Sequence, residues 1–338
     1  MALEHNMDLT RFNTFGIAAK AHSLARFGSV DELRTLLALP EVISKPQLIL
    51  GGGSNILFTQ DFQGTILVNE IPGVALVKED AEHVWVKAGA GVGWHAFVLY
   101  CVDRGWGGVE NLSLIPGKVG AAPMQNIGAY GVETKDSFVS LEALRIADGE
   151  LVVFKKEECG FGYRESYFKR EGKGRFVILT VTFKLSKHPV LNTSYGNIQQ
   201  ELDRMGIKTP TLRDVSDAVI AIRRSKLPDP AVLGNAGSFF KNPVVPNALL
   251  ERIKERDADV VAYPAGPTHS KLAAGWLIER AGLKGYREST HGVHDGQALV
   301  LVNHGGATGK AIYALSEHVL QTVKNRFGVE LEREVNIL

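Results

Sequence analysis

The sequence is poor in cysteine, in excess charge of either sign, and in long apolar runs. Its two cysteines, Cys101 and Cys159, are too few for a disulfide framework, and both are expected to be buried thiols. A formal net charge of +1 gives no basic surface for nucleic acid. No run approaches the ~20 apolar residues of a membrane span, and no secretory signal pattern opens the chain. These absences predict a cytoplasmic protein that binds neither nucleic acid nor membrane.

Familiar arrangements of metal ligands are missing as well. The sequence has ten histidines, and the closest useful pair, His291 and His294, belongs to no HExxH or CxxC pattern. We therefore expect no bound metal.

Glycine is the residue that the sequence has in excess. It accounts for 36 of 338 residues, about 11% against a typical ~7%. The glycines cluster at residues 51–53, 89–93, 105–108, 117–131 and 234–237. Such clusters in an otherwise ordinary composition indicate places where the backbone approaches another group closely.

The apolar periodicity predicts an α+β protein of more than one domain, because single cores stop growing at roughly 250–300 residues. Strands are predicted at 47–50, 65–68, 74–77, 83–88, 139–146, 151–155, 176–185, 299–302 and 329–335. Helices are predicted at 94–104, 211–226, 270–281 and 308–327. Domain boundaries are expected near residues 75 and 225.

Local signals define several ends of these elements. Asp148-Gly149 is a strong hairpin turn between two predicted strands. Thr211, with Asp214 three residues later, forms a variant of the capping box. Gly282 and Gly328 are expected to end the two helices that precede them.

The first glycine loop, Gly51-Gly52-Gly53-Ser54-Asn55, follows the predicted strand 47–50. Successive glycines at a strand end can point several backbone N–H groups at a phosphate without a side chain in the way. The loop is not a P-loop, because no Lys-Ser or Lys-Thr follows, and it is not GxGxxG. Two interpretations stay open, a phosphate-binding loop and a plain tight turn.

Residues 116–131 form a second glycine-rich segment with little charge. Small residues let a backbone lie flat against an aromatic ring or a diphosphate, and side-chain amides can bond the polar edge of a ring. A surface loop is the alternative, but it would not need so many small residues, so we favour a ligand. The residues concerned are Pro116, Gly117, Gly120, Ala121, Pro123, Gln125, Asn126, Gly128, Ala129, Tyr130 and Gly131.

Polar side chains in three other segments are further candidates. Arg164 lies in the aromatic segment FGYR, which favours a rigid guanidinium that binds a carboxylate. Ser238 lies between a glycine and two phenylalanines, without the G-x-S-x-G elbow of a hydrolase. Alternation puts Glu330, Glu332 and Glu334 on one face. The simpler alternatives are a surface salt bridge, a capping serine and a solvated acidic edge.

Taken in this order, these segments resemble the UDP-N-acetylenolpyruvoylglucosamine reductases. The matching blocks are LTRFNTF at 9–15, GGGSN at 51–55, IPGKVGAAPMQNIGAYG at 115–131, FGYRES at 161–166, IRRSKLPDP at 222–230 and NAGSFFKNP at 235–243. Each block alone is weak, but six in register over nearly the whole chain are specific.

The resemblance implies a two-part FAD-binding region of the vanillyl-alcohol-oxidase type and a separate α+β substrate-binding domain. The two FAD-binding parts would be residues 1–75 and 76–224, and the substrate domain 225–328, with strand 329–338 a candidate to return to the second part. Both glycine loops would hold FAD. NADPH would be the co-substrate, and the product would be UDP-N-acetylmuramate, a peptidoglycan precursor.

The resemblance also implies roles for individual residues. Ser238 would donate a proton to C2 of the substrate after hydride has reached C3, and Arg164 and Glu334 would polarise its carboxylate and stabilise the intermediate. Because serine is a weak acid, this step requires a close, water-free site. The substrate-binding residues would be Tyr163, Tyr195, Lys226, Asn242 and Gln297.

Two other functions are compatible with part of this pattern. A different flavoenzyme of the same fold, such as an oxidase of sugar alcohols or hydroxy acids, would not need Ser238 or Arg164. A non-catalytic protein that binds flavin or a nucleotide sugar would not need Arg164, Ser238 and Glu334 together. The presence of all three favours the reductase, which we expect to be a monomer in a bacterial cytoplasm.

Overall fold

Strands and helices alternate along the chain in the computed structural model, which describes residues 3–338. The strands are β1 Glu4–Asp8, β2 Lys20–Phe27, β3 Gln47–Leu50, β4 Ile56–Leu57, β5 Phe62–Asn69, β6 Val74–Glu79, β7 His83–Gly89, β8 Gly128–Ala129, β9 Val132–Glu133, β10 Phe138–Arg145, β11 Leu151–Lys155, β12 Phe176–Ser186, β13 Gly234–Ser238, β14 Val244–Pro246, β15 Ala262–Pro264, β16 His269–Leu272, β17 His291–Val293, β18 Val300–Asn303 and β19 Asn336–Ile337. The helices are α1 Val30–Leu37, α2 Pro40–Ile43, α3 Trp94–Val102, α4 Thr134–Ser137, α5 Ile198–Arg204, α6 Leu212–Lys226, α7 Asn247–Lys254, α8 Ala274–Arg280 and α9 Gly309–Phe327. Within the described residues, no helix combines the length and the apolar content that crossing a bilayer requires. The predicted α+β class is confirmed.

The chain separates into two compact units, each assembled from segments that are distant in sequence. The first unit comprises residues 3–7, 21–52 and 63–225. The second unit comprises residues 8–20, 53–62 and 226–338. The predicted division of the FAD-binding region near residue 75 stays a prediction.

Besides the short two-stranded pair β8-β9, the first unit contains two larger sheets. One has the order β1-β2-β5-β3, with β3 and β5 parallel, and the other has the order β11-β10-β12-β7-β6 and is antiparallel. The predicted hairpin at Asp148-Gly149 joins β10 to β11 and is confirmed. Phe183 of β12 is fully buried and packs against Trp94 and Phe97 of α3, so the antiparallel sheet and this helix share one core.

The second unit is built on two antiparallel sheets, β13-β18-β17 and β14-β16-β15, and on helices α7, α8 and α9. Helix α9 confirms the prediction, since Thr308 accepts a hydrogen bond from Ala311 N and Gly328 ends the helix in a left-handed conformation. Its buried residues recur at helical spacing. They include Ile312, Leu315, Val319, Val323 and Phe327. Strand β19 at the end of the chain pairs in parallel with β4 of the same unit.

The predicted helix at 270–281 is wrong at its beginning. Residues His269–Leu272 form strand β16, in which Lys271 pairs with Val244, and helix α8 starts only at Ala274. Ala274 N donates to Oδ1 of Asn242 at 2.9 Å. The group that caps this helix therefore comes from 32 residues earlier, and the local sequence gave no sign of it.

The predicted strand at 329–335 is wrong as well, because only Asn336–Ile337 is a strand. The alternation itself is real, since Val329, Leu331 and Val335 are buried. The segment forms only an isolated antiparallel β-bridge, between Arg333 and Phe240, rather than a continuous strand. The alternation of buried and exposed residues could not show how few residues would pair with a neighbouring strand.

Candidate active site

The first glycine loop packs its backbone against another backbone. A Cβ at Gly52 would lie 3.1 Å from Cα of Gly117, and one at Gly51 would lie 3.4 Å from Cγ of Lys118. The end of β3 and the start of the 116–131 segment thus touch within the first unit. This close packing explains why residue 52 is a glycine, and both interpretations of the loop, a phosphate-binding loop and a plain tight turn, stay open.

Gly53, the next residue, belongs to the second unit and also has to be glycine. Its φ is +62°, and a Cβ there would lie 1.9 Å from the carbonyl oxygen of Phe12. Its own carbonyl accepts a hydrogen bond from Thr14 N at 3.1 Å. Gly53 therefore fixes the segment that leads into Ser54 and Asn55.

We expect Gly53→Ala to lower the free energy of unfolding by about 2–4 kcal/mol, because left-handed backbone and steric overlap both disfavour the side chain. Gly16→Ala is the matched control, since Gly16 has φ +63° in the same unit but nothing within 4 Å of its Cβ position. Gly16→Ala should lower the free energy of unfolding only through the left-handed backbone, by about 1–2 kcal/mol. Thermal unfolding of the FAD-loaded protein measures both, and equal shifts would contradict the steric argument.

Backbone strain concentrates around the second glycine-rich segment. Among residues 3–338, five non-glycine residues have left-handed φ, and four of them are Leu114 (+58°), Asn126 (+45°), Tyr130 (+49°) and Arg164 (+55°). Such conformations cost energy and persist where the surroundings impose them, typically at functional sites. The strain marks the same segment that its composition had indicated.

The side chain of Asn126 holds this segment in place. It is fully buried, its Nδ2 donates to Gly162 O at 3.0 Å, and its Oδ1 accepts from Lys135 N at 3.0 Å. Both ends of the amide are thus used by the backbone. The expected bond from this amide to a ring edge is not supported, although the position of Asn126 within the loop still allows a backbone contact.

Arg164 is joined directly to the glycine-rich segment. Its Nη2 donates to Gly128 O at 2.6 Å, and a Cβ at Gly128 would lie 3.0 Å from its Nη1. The guanidinium carbon lies 5.3 Å from the centre of the Tyr163 ring, and Ser166 Oγ donates to Met124 O at 2.6 Å. The aromatic setting expected for Arg164 is therefore present, and the arginine is fixed from two sides.

The loop that carries Tyr195 packs on the same segment. A Cβ at Gly131 would lie 3.1 Å from Cβ of Tyr195, and one at Gly196 would lie 3.4 Å from the Tyr130 ring. Asn111 Nδ2 donates to Tyr130 O and to the carbonyl of Asn192, which ties the two segments together. Tyr195 itself is 48% exposed, so a ligand in this region can reach it.

A cationic group lies beside this segment, and the sequence analysis missed it. Burial lowers the pKa of the Arg223 guanidinium, while Tyr130 nearby acts in the opposite direction, and burial raises the pKa of Tyr130. Burial also lowers the pKa of His95, assisted by Arg224 and Arg223. Nε of Arg223 is buried and has no hydrogen-bond partner in the described part of the chain. Arg223 stood in the quoted block IRRSKLPDP, but only Lys226 was singled out there.

Ser238 lies at the end of β13 and is positioned by its neighbours. Gly237 has φ +68° and donates its N–H to Asn235 Oδ1 at 2.9 Å. The buried Asn235 donates through Nδ2 to Pro228 O and to Leu233 O. After Ser238 come Phe239 and Phe240, both buried. The hydroxyl is thus carried by a rigid bulge between apolar anchors.

The second unit places Ser238 and Glu334 close together along the backbone. Glu334 N donates to Phe239 O at 2.8 Å, and Lys241 N donates to Glu332 O at 2.9 Å. Asn55 Nδ2 donates to Glu334 O at 3.2 Å. Asn55, predicted to hold the cofactor, therefore also supports a predicted catalytic residue.

The three acidic residues of the C-terminal segment have different environments. Glu332 Oε1 accepts from the buried Lys241 at 2.6 Å, and Glu330 Oε1 accepts from Lys324 at 2.7 Å. Glu334 is half-buried, whereas Glu330 and Glu332 are exposed. Glu334 is therefore the carboxylate of this set that suits a site.

Two predicted substrate residues lie beside the first turn of α8 in the second unit. Asn242 Oδ1 caps helix α8 at Ala274, and a Cβ at the next residue, Gly275, would lie 3.1 Å from Oε1 of Gln297. The carbonyl oxygen of Lys226 lies 4.0 Å from the Cβ position of Gly296, the residue before Gln297. Asn242 and Gln297 therefore lie at the first turn of α8, and the backbone of Lys226 lies near the turn that carries Gln297.

Comparisons with known proteins agree in both units. A family model described as UDP-N-acetylenolpyruvoylglucosamine reductase, C-terminal domain, matches residues 229–338, and one described as FAD binding domain matches residues 21–155. The UDP-N-acetylenolpyruvoylglucosamine reductase of Chromobacterium violaceum is 52% identical over 334 residues, covering 98% of each chain. Those of Flavobacterium johnsoniae and Amoebophilus asiaticus are 50% and 49% identical over the full length of both chains.

A solved structure is similar over the whole chain. The UDP-N-acetylenolpyruvylglucosamine reductase from Thermus caldophilus has a TM-score of 0.68 and 24% identity, covering 100% of this chain and 99% of that one. At this identity the likeness shows the fold alone.

Proposed function

The chain belongs to the family of UDP-N-acetylenolpyruvoylglucosamine reductases, and we propose that it reduces this substrate through Ser238, Arg164 and Glu334. FAD is its bound cofactor, NADPH is the electron source, and the product is UDP-N-acetylmuramate for peptidoglycan. A cytoplasmic monomer completes the proposal, and two buried thiols without a disulfide suit that compartment. The pairing of segment 239–241 with segment 332–334, which brings Ser238 and Glu334 into one small region, is the observation that carries the assignment of these two residues.

The residues of the first unit fit an FAD molecule. Gly52 lies so close to Gly117 that a side chain at residue 52 would crowd the Gly117 backbone. The buried Nε of Arg223 is a donor without a partner in the described part of the chain. A diphosphate or a ring carbonyl satisfies such donors. The Gly51-Gly52 loop and residues 116–131 would hold the cofactor, which supplies hydride transfer from NADPH to C3 of the enolpyruvyl group.

After hydride transfer, the protein residues would stabilise the negative charge on the substrate and supply a proton. Negative charge develops at C2 and on the adjoining carboxylate, and a fixed guanidinium stabilises it more than mobile water does. Arg164 is fixed by Gly128 and Tyr163, so it needs little reorganisation. Ser238 would deliver its proton to C2, and its rigid bulge would reduce the entropy cost of that step.

Glu334 and the substrate-binding residues have supporting roles in this proposal. The Glu334 carboxylate would help to orient the substrate carboxylate. Asn242 uses Oδ1 to cap α8, so its Nδ2 is the end that would meet the nucleotide sugar. Lys226 would bind the diphosphate, and Tyr163, Tyr195 and Gln297 would complete the binding residues.

An anaerobic stopped-flow experiment tests this function. The FAD-loaded protein is mixed with NADPH while flavin absorbance is followed, and UDP-N-acetylenolpyruvoylglucosamine is added afterwards. We expect bleaching by NADPH and rapid recovery on adding the substrate. UDP-N-acetylglucosamine, which lacks the enolpyruvyl double bond, is the control and should leave the flavin bleached. Bleaching that only oxygen reverses would favour an oxidase instead.

The turn at 294–297 allows a separate prediction about Gln297. His294 Nδ1 accepts hydrogen bonds from Gly296 N and Gln297 N, both at 3.2 Å. We expect His294→Ala to raise KM for the nucleotide-sugar substrate by about tenfold, because two backbone donors lose their acceptor. The rate of flavin bleaching by NADPH should not change.

The conservative variant His294→Asn is the control for this prediction. An asparagine oxygen commonly accepts from the N–H two residues later, so it should restore the turn and most of the affinity. A variant that carries both His294→Ala and Gln297→Ala should be no weaker than Gln297→Ala alone. Additive losses would show that His294 does not act through Gln297.

A further inference from the structure

Three side chains from separate elements of the first unit converge at one edge of its four-stranded sheet. They are His5 of β1, His22 of β2 and Glu41 of α2. His5 Nδ1 and His22 Nε2 each lie 3.3 Å from the same oxygen, Oε1 of Glu41. The three ligand atoms lie within 4.8 Å of one another. This cluster is separate from every residue assigned to the reductase reaction.

The distances in this cluster are compatible with a shared metal ion. A good N–H···O hydrogen bond is roughly 2.7–3.2 Å long, and both contacts are longer, at 3.3 Å. In a tetrahedral zinc site, bonds of about 2.0–2.2 Å place neighbouring ligand atoms roughly 3.3–3.5 Å apart. Both imidazole–carboxylate separations therefore fall close to the edge of a zinc tetrahedron, and the third separation is below 4.8 Å.

The donor set narrows the choice of ion. Two imidazole nitrogens and one carboxylate oxygen suit Zn²⁺ and its neighbours Ni²⁺ and Cu²⁺, whereas Ca²⁺ and Mg²⁺ take oxygen ligands. Two histidines with one glutamate and an open fourth position form a known set of zinc ligands. The side chains of His5, His22 and Glu41 are 53%, 37% and 36% exposed, so an ion can enter from solvent.

We propose that His5, His22 and Glu41 bind a divalent transition metal of the zinc class, with water in the fourth position. The ion would join three elements at one point, namely the edge strand β1, its neighbour β2 and helix α2. An edge strand has one row of backbone groups without a sheet partner, and a metal clip holds such a strand in place. The role is structural, and it is independent of the proposed reaction.

Zinc binding to the FAD-loaded protein tests the proposal directly. After treatment with a chelator, the protein is titrated with ZnCl₂ by calorimetry, and the thermal midpoint is measured with and without the ion. We expect one equivalent to bind and the midpoint to rise, because an ion that binds only the folded state stabilises it. His5→Ala, His22→Ala and Glu41→Gln should each lose this equivalent and the rise in midpoint.

The matched control is His83→Ala. His83 lies 3.7 Å from Asp80 on an exposed surface, so it is an imidazole–carboxylate pair without a second imidazole. This variant should bind zinc as the unmodified protein does. Co²⁺ in place of zinc should give the intense visible bands of tetrahedral coordination, and these should disappear in His5→Ala.

Two results would overturn the proposal. One is an unmodified protein that takes up no zinc. The other is a variant with both His5→Ala and His22→Ala that still takes up the full equivalent, which would assign the ion to other histidines such as His291, His294 or His304. Normal reduction of the nucleotide-sugar substrate by the zinc-free protein is compatible with the proposal, so its failure and the failure of the proposed function are distinguishable.

Discussion

Ser238→Ala is expected to slow product formation by about 10²–10⁴-fold, the usual contribution of a positioned general acid, while NADPH still bleaches the flavin at its normal rate. The two half-reactions separate because the hydroxyl is required only after hydride has reached the substrate. Ser238 is carried by a bulge that Gly237 and Asn235 hold rigid. Removing one oxygen should therefore leave the local backbone unchanged.

Two further variants make the Ser238 result specific. Ser238→Cys supplies a more acidic proton donor at the same place and should recover part of the rate. Ser270→Ala removes another hydroxyl of the second unit, which donates to Asn247 Oδ1 at 2.8 Å, and should keep full turnover. Full turnover in Ser238→Ala would remove this residue from the mechanism.

Arg164→Lys is expected to slow flavin reoxidation by the substrate by about 10²–10³-fold, although the positive charge is retained. Removing one well-placed donor to a developing negative charge has an effect of this size. A lysine cannot reproduce the planar fork that binds a carboxylate through two bonds. Its three donors sit on one nitrogen, so it cannot meet Gly128 O and the substrate from two separate nitrogens, as the guanidinium would.

The control for Arg164 is its neighbour Arg170. The Arg170 side chain is 65% exposed and its Nε donates to Glu165 at 2.8 Å, so Arg170→Lys should leave both half-reactions unchanged. A purely structural role for Arg164 would instead appear as lost FAD or a changed flavin spectrum, since Arg164 braces Gly128. Normal reoxidation in Arg164→Lys would contradict the proposed role.

Features with a local physical cause could be predicted from the sequence. At the start of helix α6, Thr211 N donates to Asp214 Oδ2 and Asp214 N donates to Thr211 Oγ1, as the capping pattern indicated. Gly328 and the Asp148-Gly149 hairpin are likewise set by residues next to one another. The glycine loops were found because close backbone contact, as between Gly52 and Gly117, favours glycine.

Features that depend on distant residues could not be predicted in this way. The start of α8 is set by Asn242, and the length of the C-terminal strand is set by how far segment 332–334 can follow segment 239–241. Arg223 has chemical interest only because folding buries its Nε without a partner. The histidine search examined local spacing and so missed His5 and His22, which share Glu41 only in three dimensions.

The segmented second unit has a consequence for synthesis on the ribosome. Residues 8–20 and 53–62 are translated well before residues 226–338, with which they form one core. Until then Phe15, Ile17 and Leu57 lack the neighbours that bury them, including Phe239 and Ile312. The nascent chain therefore carries exposed apolar segments throughout the time in which residues 63–225 emerge, and this interval is when holding chaperones would engage it.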